Sequence, residues 1–404
     1  MNKLLLLLKA NFYLCLSIFI LAGCEGDRQE SLYNPNAPKG LTPEITTVSP
    51  IEGALAGVGE VTITGKNFSF NKDEVLVFFD AKRAQVLEAT PTQLVVVAPN
   101  IFGDSIKIKI AVYKVELYSD IFLYKLIPAV DEIGKLMDDD VGFGIAVDVA
   151  GNLYVSFDDK EVKKITPAGV TTSFVTSTTF LKANNMKMGP GNTIYAAVAA
   201  GRIRKIATID PAGIEGTFTS LSESPYDLDF DLNGNIWVAA GTSIYLVKPD
   251  KSSAKISSFP LLLRSVRVFN GFLYISGRDE TTKEAKIWRA EILGENLGNA
   301  EVVLDVNAAT WLEEAIVLSI TFSADGEMLL GTDHPNGIFV YREEDGSHEA
   351  LYLGLIEDDI YSMSWDESHY LYAVRQFEDD EGESTSKILR IDMAKEGAPY
   401  WGRN

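Results

Sequence analysis

At 404 residues the chain is long enough for two domains, and 46% hydrophobic with 23% charged residues is the composition of a folded protein rather than a disordered one. Its formal charge of −21, with no basic run to offset it, repels phosphate backbones and argues against nucleic acid as a partner.

The N-terminal segment reads as an address. Lys3 and Lys9 make a positive start, and FYLCLSIFILA (Phe12 to Ala22) is an apolar run too short for a comfortable bilayer span, the pattern of a signal peptide. It ends in LAGC, Leu21 to Cys24. Because Cys15 lies inside the leader, Cys24 is the only cysteine left after cleavage, which excludes an intramolecular disulfide and a cysteine-based metal site. The LAGC stretch resembles the lipobox of bacterial lipoproteins. That resemblance implies a signal peptide over 1–23, lipidation of Cys24, and acyl chains that anchor the protein to a membrane without a transmembrane helix. The acidic CEGD that follows weakly resembles the surface-export signal of lipoproteins in Bacteroidota, which implies an outer-membrane, cell-surface location. Residues 24–41, with two prolines and no hydrophobic period, are expected to form a tether.

From Pro43 onward EVTITGKNF, EVLVFFDAKRAQVLEAT and QLVVVAPN are β-rich runs separated by Gly, Pro and Asn turns, the spacing of a small β-sandwich. Pro43, Pro50, Gly53, Gly57, Gly65, Asn67, Phe68 and Pro99 resemble the pattern of an IPT/TIG domain, which implies an immunoglobulin-like sandwich over 42–126. The glycines of GALAGVGE do not make a phosphate loop, because a strand follows them rather than a helix start.

The remaining residues, 127–404, contain a repeated unit: GIAVDVAGNLYVSF, NNMKMGPGNTIYAAV, DLDFDLNGNIWVAA, SVRVFNGFLYISG, SITFSADGEMLLGT and SMSWDESHYLYAV. Each is a strand, a polar turn and a second strand, and a third strand follows most of them. Anchors at Gly151, Gly191, Gly234, Gly271, Gly326 and His369 are 40, 43, 37, 55 and 43 residues apart, the length of a propeller blade, and the spacing of 55 implies an insertion. The fold class expected is therefore all-β, a sandwich followed by a six-bladed propeller whose units resemble NHL repeats. A closing strand is expected near IPAVDEIG, at its N-terminal side.

DFDLNGNIWV (Asp229 to Val238) begins like a calcium loop, but position twelve is Ala240 and both flanks read as strands, so it is expected to be a blade turn. No cofactor or metal is expected, and calcium is not supported. The repeat alignment points to a channel-mouth ligand site. Seven residues before the anchors stand Gly144, Asn184, Asp227, Arg264, Ser319 and Ser362; five before stand Ala146, Met186, Asp229, Val266, Thr321 and Ser364. Alternation puts these on the channel face, with Phe143, Tyr226 and Tyr361 near its mouth. Aromatics with Asn, Asp and Arg suit a carbohydrate, whose rings stack and whose hydroxyls hydrogen-bond. Trp311 is a further candidate platform.

Catalysis has little support. His334, His348 and His369 lack zinc-ligand spacing, and no G-x-S-x-G elbow occurs. Asn184, Asp227 and Asp229 imitate part of the metal set of gluconolactonase-type propellers, but Gly144 and Ala146 stand where a Glu is expected. The whole arrangement resembles the TIG-plus-NHL lipoproteins of Bacteroidota, some associated with polysaccharide utilisation. It implies a surface lipoprotein that binds glycan or supports its uptake. A metal-dependent hydrolase and a module docking an envelope protein are the alternatives.

Overall fold

The computed structural model describes residues 40–403; Cys24, the leader and most of the tether lie outside them. Among the described residues no helix is long and apolar enough to cross a membrane.

The chain is an immunoglobulin-like sandwich followed by a six-bladed propeller. One sandwich sheet runs Glu44–Ser49, Glu60–Lys66, Gln93–Val97, Gln85–Ala89; the other runs Ala54–Ala56, Phe122–Pro128, Gly103–Val112, Val75–Phe79, Lys82–Arg83. Strict alternation turns Val75, Val77 and Phe79 inward against Val61, Ile63, Leu94 and Val96 to make its core. Gly65 is required by close approach: a Cβ there would lie 1.9 Å from the Glu44 carbonyl oxygen.

Each blade is an antiparallel sheet whose innermost strand lines the channel. These six strands are Gly142–Val147, Asn185–Gly189, Pro225–Phe230, Leu262–Phe269, Val317–Phe322 and Asp359–Trp365. Apolar residues such as Ile145, Met186, Leu228, Val266 and Ile320 fill the space between blades. The ring closes as expected: Val130–Glu132 forms the outermost strand of the last blade, pairing Val130 with Ile391. Only Ala129, buried, separates this strand from the last strand of the sandwich. In blade 4 the insertion is a loop at 279–284, a short hairpin through Asn296–Leu297 and a 3-10 turn at Thr310–Leu312.

Burial pushes the hydroxyls of Tyr124, Tyr154, Tyr274, Tyr352 and Tyr372 up to about 12, and those of Tyr361 and Tyr400 higher. Unfolded tyrosines ionise near pH ~10. The folded state therefore holds protons that the unfolded state releases, so the tyrosine contribution is intact below about pH 10 and is lost as pH rises towards 12. During alkaline titration a late rise in tyrosinate absorbance should coincide with loss of circular dichroism; ionisation of all tyrosines near pH ~10 with the fold intact would refute this.

Candidate functional site

The turns set the register of the site. In blade 3 Asp231 Oδ1 accepts the amides of Asn233 (2.9 Å) and Asn235 (3.0 Å), while Oδ2 accepts Asn235 Nδ2 and Trp237 Nε1 (3.0 Å each). Asp148 does the same in blade 1 with Ala150, Asn152 and the Tyr154 hydroxyl. The calcium-like stretch is thus a turn whose carboxylate is spent on its own backbone and a neighbouring ring.

Two blades depart from the sequence alignment by one residue. Blade 2 pairs Gly189 with Thr193, so Asn192 (φ 55°) rather than Gly191 stands where Gly234 stands in blade 3. Blade 4 closes on the two-residue turn Asn270–Gly271, with φ of 48° and 81°. Hence Asn185 and Lys187, not Asn184 and Met186, belong to the channel face of blade 2. In blade 4 the channel residues are Ser265 and Arg267, not Arg264 and Val266. Met186 and Val266 are fully buried between blades.

A β-bulge recurs near the start of five innermost strands, between Gly142 and Ile145, Pro225 and Asp227, Leu263 and Ser265, Val317 and Ser319, and Ile360 and Ser362. Bulges re-aim a side chain out of the alternating pattern. The residues so presented at the mouth are Phe143, Tyr226, Arg264, Leu318 and Tyr361, and Asn184 takes the equivalent place just ahead of its strand. Five of these six, Phe143, Asn184, Tyr226, Arg264 and Tyr361, are among the residues expected at the mouth. Leu318 was missed, because nothing in its own stretch distinguishes it from a core leucine.

These side chains form one connected tier. Phe143 meets Tyr361 edge to face at 5.0 Å, and the Tyr361 hydroxyl lies near that of Tyr226, from the blade opposite. The Arg264 guanidinium lies 4.6 Å over the Tyr226 ring and pairs with Glu280. Lys182 Nζ sits 3.3 Å from the centre of the Phe143 ring, and burial lowers its pKa against the opposing charge of Asp158. Asn184 Nδ2 donates to the Pro225 carbonyl at 2.9 Å. All but Phe143 among the six are only partly buried, so the tier faces solvent while spanning the channel.

Asp227 and Asp229 are on the channel face, as their alternation implies, but they lie below the mouth and are 1% and 0% exposed. Asp227 Oδ2 accepts Ser265 Oγ (2.7 Å) and the Val266 amide (2.9 Å). Asp229 Oδ2 accepts Arg267 Nη1 (2.6 Å) and the Val268 amide (2.8 Å). Both carboxylates therefore suture blade 3 to blade 4 instead of meeting a ligand at the mouth. Burial raises the pKa of Asp227, opposed by the charge of Lys187. With Lys187 and Arg267 in the channel, the positive charge a metal would bring is already supplied by side chains. Trp311 is also not at the mouth: it stacks on His348 (4.4 Å) and Tyr341 over the outer strands of blade 5. Its irregular local sequence gave no blade register from which that could be read.

The other end of the channel is closed by the C-terminal tail, which touches the innermost strand of every blade. Arg403 Nε donates to the Val147 carbonyl (2.9 Å) and its Nη2 to that of Trp365; the Tyr400 hydroxyl donates to the Met188 carbonyl (2.6 Å). Tyr400 meets Phe230 edge-on, Arg267 donates to the Pro399 carbonyl, and the Ala398 amide donates to Phe322. A cavity of about 160 Å³ remains between the tail and Lys187, Arg267, Thr321 and Ser364.

Residues 43–125 match the IPT/TIG domain family. No curated protein sequence matches the chain. Among solved structures, one named as a "putative gluconolactonase" is similar with a TM-score of 0.53 and 13% identity, over 67% of this chain and 94% of its own. A luciferin-regenerating enzyme is similar with a TM-score of 0.53 and 14% identity, over 68% and 98%. An auxiliary nutrient binding protein from Bacteroides thetaiotaomicron VPI-5482 covers 89% of this chain and 98% of its own, at 13% identity and a TM-score of 0.48. At such identities the likeness is one of fold alone, over about two thirds of the chain.

Proposed function

We propose that this protein is a cell-surface lipoprotein, anchored through Cys24, that captures glycan at the propeller mouth, with the IPT/TIG domain as spacer. The observation that carries the glycan reading is the mouth tier. Five blades use the same bulge to lift a side chain out of the sheet, and three of those side chains are aromatic rings in mutual reach. A sugar offers C–H faces to such rings and hydroxyls to Asn184, Arg264 and the tyrosine hydroxyls. The LAGC motif and the tether support surface anchoring.

The test is binding to a panel of polysaccharides by affinity electrophoresis. Retardation on at least one glycan is expected, and Tyr226→Ala and Tyr361→Ala should each weaken it by roughly 1 kcal/mol for the ring removed, with the melting transition retained. Absence of retardation on every glycan by the folded protein would sink the reading. Capture of an envelope protein through the same face would replace it by the docking alternative.

A further inference from the structure

Arg278 is a buried arginine with no hydrogen-bond or ion-pair partner among the described residues. It ends the second strand of blade 4 (Phe272–Arg278), is 7% exposed, and its Nε and Nη1 are enclosed without an acceptor. Ala285, directly across the next strand, belongs to an apolar cluster with Leu312, Ala315 and Val317. The second strand of blade 4 packs on the innermost strand of blade 5, which sends Leu318 to the mouth. A desolvated guanidinium in apolar company is costly unless an anion meets it.

Two more donors without acceptors share this end of the blade. Ser276 Oγ lies two residues back on the same face of the strand, and the bulge that carries Arg264 sits opposite Ser276. Arg264 spends one nitrogen on Glu280 but leaves its buried Nε free. Arg264 lies against the aromatic tier, and Ser276 and Arg278 stand on the strand paired with its own; guanidinium groups and a hydroxyl with unfilled donors at one end of a blade call for an oxyanion. The net charge of −21 gives no long-range pull on a polyanion, so the arrangement suits isolated acidic groups on an otherwise neutral chain.

We propose that the mouth selects a sugar bearing a carboxylate, a uronic acid residue within a glycan, with its ring on Tyr226 and Tyr361 and its carboxylate on Arg264 and Arg278. This deepens the glycan reading and rests on it. Calorimetry on the full chain would compare uronic-acid trisaccharides, their neutral carboxyl-reduced counterparts, and sodium acetate. The acidic trisaccharides should bind at least about tenfold more tightly than the neutral ones. Arg278→Met should cost roughly 10- to 100-fold in that affinity, the effect of losing a hydrogen bond to a charged group. The same variant should melt higher than the wild type without ligand, because it removes an unpaired buried charge.

Arg264→Gln, at a partly exposed position, should weaken the acidic ligand independently of any effect on packing. Equal binding of neutral and acidic sugars, weakened alike by Tyr226→Ala, would overturn the carboxylate inference and leave the glycan reading standing. Acetate binding as tightly as the trisaccharides would show a small-anion site and overturn it too. A lower melting temperature for Arg278→Met with affinity unchanged would make Arg278 structural. No binding of any sugar would overturn both readings.

Discussion

Asp229→Ala should lower the stability of the propeller by about 3–5 kcal/mol, the range for removing one partner of a buried ion pair. The carboxylate is wholly enclosed and accepts both Arg267 Nη1 and the Val268 amide from the neighbouring blade. Alanine would leave Arg267, 3% exposed, with carbonyl acceptors at Val268 and Pro399 and no counter-charge. Asp229→Asn keeps the shape and an acceptor, so a smaller loss is expected. Urea unfolding monitored by tryptophan fluorescence measures both; an Asp229→Ala midpoint matching the wild type would show that this pair does not hold the blades together.

Ending the chain before Gly397 should cost several kcal/mol, since loss of a fully buried large aromatic is about 3–5 kcal/mol and this deletion removes two partly buried ones, Tyr400 and Trp401, together. It also removes the bonds to Val147, Met188, Arg267, Phe322 and Trp365 and the ring contact with Phe230, so each blade loses a partner at the same end of the channel. The expected result is a lower melting temperature and faster hydrogen exchange across the innermost strands. A truncated chain that melts and exchanges like the full one would mean the tail merely rests on the ring.

Much of this was legible in the residues because the propeller repeats. Six copies of one strand–turn–strand unit reveal blade number and length, and any copy with Asp, Asn and Gly in the turn also reveals which side chains face the channel. The register slips where the glycine moves within the turn: Gly191 stands one place earlier than Gly234 in a turn of equal length, and Gly271 closes a turn one residue shorter. With a period of two, that slip exchanges channel and core, which is why Met186 and Val266 were placed on the wrong face. The same slip puts Arg264, at the bulge of blade 4, and Asn184, just ahead of the blade 2 strand, among the expected residues, because each lies one residue from a channel position. The bulge itself has no composition of its own, and neither does the pairing of Asp227 and Asp229 with the next blade. Acceptors for buried amides look the same in sequence as acceptors for a ligand. The tail's role was hidden for a related reason: APYWGRN has no strand period, and only the ring's assembled end shows what it fits.

The strand Val130–Glu132 has a consequence for the order in which the protein forms. It must pair with residues 389–391, more than two hundred positions later, so the ring cannot close until the last blade exists. Contacts of such long range are slow to form. Because one residue joins this strand to the sandwich, an already folded sandwich would hold it out as a fixed template for the final blade. The N-terminal domain then serves as a starting block for assembly, and the chain reaches its closed form only once its C-terminal end has arrived.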